Sequence, residues 1–153
     1  MASDVNIQAE QWRWLGGMRY SISAIINIMA FFKKRHLQLN LADNLVNSKC
    51  LFFVALNTIH TGKGMKMAPH AKLNDGLIDT ILVRDVSKLR AVKIFTQVFS
   101  GNHIFDPSVE YQQVKTFSIC TQGDLLNIDG ENTGHTPIDV SVVPNALQIF
   151  ADL

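Results

Sequence analysis

Little in this sequence is extreme, and each shortage removes a class of protein. Its 153 residues include only two cysteines. Cys50 and Cys120 lie far apart in apolar surroundings and have no C-x-x-C spacing. They read as buried free thiols rather than a disulfide framework or a metal pair. Free thiols fit a reducing, cytoplasmic setting. Charge of one sign is also lacking, since the formal net charge is +1. A dedicated nucleic-acid binder carries a strong basic excess, so no nucleic-acid partner is expected. Long apolar runs are missing too. The longest, 22–32, falls short of the roughly 20 residues that a bilayer-spanning helix needs. Arg19 precedes it and Lys33, Lys34 and Arg35 follow it, so a core or interfacial helix is the better reading. The residues Met1 to Glu10 are polar and mixed, unlike a secretory leader.

Common catalytic signatures are absent as well. There is no G-x-x-x-x-G-K-[ST] loop, no G-x-G-x-x-G after a strand, no H-E-x-x-H and no G-x-S-x-G. Gly62-Lys63-Gly64 is followed by Met65 rather than by a helix start, and reads as loop geometry. The five histidines are scattered, none paired with another at ligand spacing.

What remains is enough to fold. Apolar residues make up 47% of the chain, sufficient for one real core over 1–153. Trp12, Leu15, Met18, Ile22, Ile25, Ile26 and Met29 recur at helical steps, predicting a helix over about 10–32 with a possible break at Gly16-Gly17. Leu37, Leu39 and Leu41 then alternate with polar residues, as in a half-buried strand. Residues 51–56 form a continuous apolar run, as in a strand buried on both faces. Residues 77–83 are strand-like. Ser87 is a candidate cap for a helix over 88–99, with Leu89, Val92, Phe95, Val98 and Phe99 on its apolar face, and Gly101 follows. Strands are expected over 109–120, 125–129, 138–143 and 146–151, separated by Gly123-Asp124, Gly130 and Pro144-Asn145. The predicted class is mainly β (α+β): two packed antiparallel sheets, a β-sandwich, with two helices.

Three segments carry chemistry. In Leu73-Asn74-Asp75-Gly76-Leu77, the Asp75 carboxylate can join backbone carbonyls around a hard cation, or simply organise an Asx-turn. Taken alone, the turn is favoured. His103, in the segment after the second helix, reads as a structural hydrogen-bonding residue. Asp129 and Glu131 flank Gly130. In an extended chain both carboxylates share one side and could divide proton acceptance from the organisation of metal or water. The competing reading, an Asp-Gly hairpin turn, leads in isolation.

The ordered set is more specific than its parts. Arg13-Trp14-Leu15-Gly16-Gly17-Met18-Arg19-Tyr20 is followed by Ala68-Pro69, then by Leu73-Asn74-Asp75-Gly76-Leu77 with Asp79. Phe99, Gly101, His103, Pro107 and Tyr111 come next, then Asp129-Gly130-Glu131, Pro137 and Val143-Pro144-Asn145-Ala146-Leu147. Over nearly its whole length the chain resembles the C-terminal region of the lipid kinase family that includes diacylglycerol, sphingosine and ceramide kinases and their bacterial relatives.

That resemblance implies an ATP-dependent transfer of the γ-phosphate to a lipid hydroxyl. Asp129 matches the proton acceptor and Glu131 its active-site neighbour. Asp75, with the backbone carbonyls of Lys72 and Leu77, matches the protein ligands of a structural Mg2+ site. The family's Gly-Gly-Asp-Gly-Thr nucleotide motif is not in this chain, so catalytic Mg-ATP is expected on a separate N-terminal lobe. The isolated chain is then expected to be inactive. The other implied partners are a lipid substrate, a membrane surface touched peripherally, and a second copy in a homodimer. The alternative is a non-catalytic lipid-binding or dimerisation module on the same fold.

Overall fold

The computed structural model describes residues 34–42, 44–62 and 64–148. The helix expected over 10–32 and the end of the strand expected over 146–151 lie outside them. Within them the elements run β1 (Arg35–Leu41), β2 (Asn44–Leu56), β3 (Ile78–Arg84), α1 (Lys88–Gln97), a 3-10 turn (Asn102–Phe105), β4 (Val109–Val114), β5 (Thr116–Ile119), β6 (Leu125–Ile128), β7 (Glu131–His135) and β8 (Ile138–Ser141). Six strands form one antiparallel sheet in the order β4-β3-β2-β1-β5-β8, and β6-β7 form a separate hairpin.

The mainly β, antiparallel character is as expected. Two antiparallel sheets are also present, but unequal ones, the second being the two-stranded β6-β7; of the two expected helices, one falls within the described residues. The connectivity explains how one sheet makes two layers. Only Lys115 separates β4 from β5, so Val114 and Thr116 lie at most ~7.6 Å apart along the chain. In a flat sheet, with β3, β2 and β1 between them, the two strands would be about 19 Å apart. The sheet must therefore coil, and its inner face closes over a core of Leu37, Leu39, Leu41, Leu82, Phe117 and Ile119. Leu39 in β1 is completely buried there. The rings of Phe53 on β2 and Phe117 on β5, strands that flank β1, meet edge to face at 5.4 Å. The single strand expected over 109–120 is thus two strands with a corner at Lys115.

The outer face of β2, β3 and β4 carries a second core. Leu51, Ile81, Val83 and Val109 pack with Ala91 and Ile94 of α1. The continuous apolar run of β2 serves both cores, and a bulge between Cys50 and Phe52 turns Leu51 and Phe52 to the outer side together. The helix begins as expected: the Ser87 side chain accepts from the Arg90 N–H at 3.3 Å. It ends at Gln97 rather than at Phe99, and its buried face is Ala91 and Ile94 with Val98 beyond, while Leu89 is exposed. Arg90 fastens the helix to the following turn through two N–H groups on Asp106 Oδ1, at 2.9 and 3.2 Å. Residues 146–148 form no strand. Both cysteines are free, but only Cys50 is buried; Cys120 is exposed because it follows the last inward-facing residue of β5. No helix among the described residues is long and apolar enough to cross a membrane.

Candidate functional site

Asp129 and Gly130 form the two-residue turn of the β6-β7 hairpin, with φ of 51° and 94°. Positive φ at both positions is the type I′ arrangement that matches strand twist and favours Asp-Gly. The chain therefore reverses between Asp129 and Glu131, and the extended-chain placement of both carboxylates on one side does not apply. Glu131 instead opens β7 opposite Ile128. Both acids are exposed, and among the described residues neither has a hydrogen-bond or ion-pair partner.

The base of the hairpin is fastened while its tip is not. Arg35 of β1 pairs with Asp124. Thr136 N–H donates to the Asp124 carbonyl at 2.9 Å, and Asp124 N–H donates to Thr136 Oγ1 at 3.1 Å. Asn127 donates to Asn132 across the strands at 3.0 Å. Along β6, Ile128 beside the acids and Leu125 at the hairpin base are both more than half exposed. An open depression of about 490 Å3 lies near the hairpin base, lined by His36, Gln38, Asn47, Cys120, Thr121 and Gln122, and neither acid contributes to it.

The second candidate is built differently. Asp75 Oδ1 accepts the Leu77 N–H at 2.9 Å, which is an Asx-turn. Gly76 has φ of 69°, and a Cβ there would sit 3.5 Å from Pro144, so two of the sequence motifs meet at this point. Lys72 is exposed, while Asp75 and Leu77 are half-buried. No group of three or more His, Cys, Asp or Glu gathers among the described residues. One carboxylate with backbone carbonyls nevertheless suits a hard cation such as Mg2+. No hydrogen bond or ion pair joins this turn to the hairpin tip among the described residues.

The segment around Asp75 is clamped from two sides. His103 is fully buried, and its Nε2–H donates to the Met67 carbonyl at 2.9 Å. The structural role expected of it is met. Burial holds its pKa below the ordinary value, against the opposing effect of that hydrogen bond. On the other side stands a residue given no role by the sequence. Asp79 is fully buried at the start of β3, and its Oδ1 accepts from the Tyr111 hydroxyl and from Gln113 Nε2 at 3.0 Å. Burial first, and the Asp79 carboxylate second, push the Tyr111 pKa far up, so the phenol remains a donor. The available signal was a lone acid in Leu-Ile-Asp-Thr-Ile-Leu-Val, where its neighbours mark a buried strand. Gly62 and Gly64, with φ of 60° and 81°, form a tight turn closed by the Thr61–Met65 bridge, as the loop reading expects.

The comparisons agree with one another. The family described as the YegS C-terminal NAD kinase beta sandwich-like domain matches residues 1–151. A diacylglycerol kinase of Mycobacterium tuberculosis is 29% identical over 148 residues, covering 95% of this chain and 48% of its own length. A relative named probable lipid kinase YegS-like, from Chromohalobacter salexigens, is 31% identical over 141 residues, covering 91% and 45%. A crystal structure of a Bacillus anthracis diacylglycerol kinase superposes with a TM-score of 0.60 at 12% identity, covering 78% of this chain and 43% of that one. A second solved structure from the same organism reaches 0.69 at 17% identity, covering 91% and 46%. The chain thus spans about half the length of these relatives, and at such identities the solved structures speak to the fold alone.

Proposed function

Because the chain belongs to the YegS C-terminal NAD kinase beta sandwich-like domain family, we propose that it is the acceptor-lipid lobe of an ATP-dependent lipid kinase, with Asp129 as the base. The observation that carries this reading is the hairpin tip, a pair of carboxylates on strands fastened at their base, which have no partner among the described residues and do not line the depression near that base. A general base needs a defined geometry against the proton it removes. Such a tip acquires one only when a second surface closes on it. The nucleotide-binding lobe supplies that surface, which gives the exposed acids a purpose and leaves the isolated chain without activity.

In the closed cleft the lipid hydroxyl gives its proton to the Asp129 carboxylate, and its oxygen forms a bond to the γ-phosphorus. The bond from that phosphorus to the bridging β,γ-oxygen breaks, and ADP leaves. The transition state is loose, so placement and charge neutralisation supply most of the rate. Glu131 sits one turn residue away from the base and orients water or the hydroxyl. Ile128 beside the tip and Leu125 at the base of the same strand are exposed and suit an acyl chain. Diacylglycerol is the favoured acceptor from the relatives' names, and a sphingoid base, ceramide or a phosphatidylglycerol-like lipid shares the same chemistry. On this reading the chain meets its substrate at the membrane surface. The Lys72 and Leu77 carbonyls and the Asp75 carboxylate would hold Mg2+, whose contribution there is to cross-link the loop.

The test is reconstitution. The chain combined with a nucleotide-binding lobe of the same family should phosphorylate diacylglycerol in mixed vesicles with ATP, and Asp129→Asn should remove that activity. Full activity in the variant would reject Asp129 as the base. Saturable lipid binding with no phosphorylation under any pairing would leave the non-catalytic module.

A further inference from the structure

The hairpin that carries Asp129 stands apart from the large sheet. Among the described residues, β6 and β7 pair with each other and with no strand of the six-stranded sheet. One leg of the hairpin continues from β5 and the other runs on into β8, and these two strands are neighbours in that sheet. Two legs side by side act as a hinge. They fix where the hairpin starts, but not the angle at which it stands.

Asp124 is where that angle can be set. The two legs are locked to each other there: Thr136 N–H donates to the Asp124 carbonyl at 2.9 Å, Asp124 N–H to Thr136 Oγ1 at 3.1 Å, and Gly123 N–H to the Thr136 carbonyl at 3.1 Å. The Asp124 carboxylate takes no part in this lock. It accepts instead from the guanidinium of Arg35, the first residue of β1. β1 lies on the side of β5 away from β8, so this tie reaches a strand that neither leg continues. Beyond Asp124, every residue as far as His135 is exposed except Leu126, which is half-buried.

The tip is far enough from this tie to amplify any error. Asp129 lies five residues beyond Asp124. At the rise of an extended strand that is a lever of about 16 Å, so a swing of about 4° at the base moves the tip by about 1 Å. A misplacement of about 1 Å can cost about 100-fold in rate. Arg35 is largely exposed, and such surface pairs contribute little to stability. What this one contributes is direction.

We propose that Arg35 and Asp124 are positioning residues, whose ion pair sets the angle of the β6-β7 hairpin and so brings Asp129 to the lipid hydroxyl. This rests on the reading of Asp129 as the base.

Residual dipolar couplings of the backbone amides test the angle on the chain itself, with no need of activity. In wild type the couplings of β6 and β7 should fit the same alignment as those of the six-stranded sheet. In Arg35→Ala and in Asp124→Ala the hairpin couplings should shrink while those of the sheet stay. Unchanged hairpin couplings in both variants would overturn the proposal. With the nucleotide-binding lobe supplied, each variant should lower kcat for diacylglycerol by about 10–100-fold, at unchanged KM for ATP and unchanged melting temperature. The double variant should lose no more than either single one, because both break one tie. Multiplied losses would overturn the pairing. A loss of activity matched by a lower melting temperature would make the pair structural and overturn the proposal too. Full activity in both single variants, with Asp129→Asn inactive, would overturn it and spare the base. Full activity in Asp129→Asn would overturn both.

Discussion

The two acidic regions of this molecule are opposites in construction. The corner around Asp75 and Asp79 is half-buried to buried, clamped by His103, Tyr111 and Gln113, and packed against Pro144. The hairpin tip with Asp129 and Glu131 is anchored at its base, and its carboxylates have no hydrogen-bond or ion-pair partner among the described residues. A buried acid needs its compensation close at hand, because desolvation makes any deficit expensive. An exposed acid is solvated for free and can wait for a partner. The first region therefore reads as structure, with Asp79 Oδ2 left bare and the Asp75 turn open to a cation, and the second as one wall of a site. The contrast forecasts that substitutions in the corner change stability, and that substitutions at the tip change activity alone.

The largest effect should come from the tip. With the nucleotide lobe supplied, Asp129→Asn should lower the turnover of lipid by about 10²–10⁴-fold, the usual contribution of a general base. Asn tolerates the positive φ of 51° at this position, so the turn should persist. Denaturant unfolding of the same variant should match wild type within about 0.5 kcal/mol. A loss of stability well beyond that would mean the tip is tied down in a way that breaks the contrast.

Next come the two cores, where the contrast is between the inside of the coiled sheet and the outside under α1. Leu39→Ala empties the inner core and Ile81→Ala the outer one, and each should cost about 2–5 kcal/mol by urea unfolding. If the sheet did not coil, Leu39 would have little above it and its removal would cost far less than that of Ile81. Equal penalties would confirm that one sheet encloses a core by itself.

How much of this could be read in the sequence follows the same division. The alternation Leu37, Leu39, Leu41 announced β1, and Ser87 announced α1, because local spacing alone determines those signals. The Asp-Gly turn was legible for the same reason. β7, Glu131 to His135, was missed because every residue in it is exposed, so it has no apolar alternation to detect. The first half of β2, residues 44–50, was missed because Asn44, Asn47 and Lys49 dilute the pattern. The corner at Lys115 was missed although the alternation slips before it, where Gln112-Gln113 follow Tyr111 and Val114 turns to the inner core, because such a slip does not by itself say that the pairing partners change. Asp79 was quoted in a motif but given no role, since its burial is a tertiary fact.

A smaller effect sharpens the picture of what holds the outer layer. Asp106 accepts from the Ser108 N–H at 2.9 Å as well as from Arg90. Burial pushes its pKa up, but these hydrogen bonds outweigh burial and hold it below the ordinary value. A depressed carboxyl stabilises the fold above its unfolded pKa of about 3.9, and that contribution disappears as pH falls through the folded value. Asp106→Asn should remove this part of the acid sensitivity, with a loss of about 1 kcal/mol at neutral pH. Unfolding curves from pH 6 down to pH 3 for both proteins measure it, and curves of identical shape would contradict the assignment.

The finest test concerns His103, which clamps the segment leading to Asp75. A carbonyl only accepts, so the Nε2 facing Met67 carries the proton and the buried Nδ1 has no partner. Protonating Nδ1 would bury a charge with a donor that binds nothing, which is why the folded pKa lies below about 6.5. The unfolded chain takes up that proton near pH 6.5 and the folded chain does not. Below that pH the unfolded state binds more protons, so stability falls as pH drops from about 6.5 toward the depressed folded value. In His103→Gln an amide can still donate to Met67 but cannot titrate, so its stability should decline less steeply over the same interval. The difference between the two slopes in urea unfolding isolates His103 from the other histidines. Parallel slopes would mean that the clamp on this loop opens before the proton arrives, and the corner would then be no more self-contained than the hairpin.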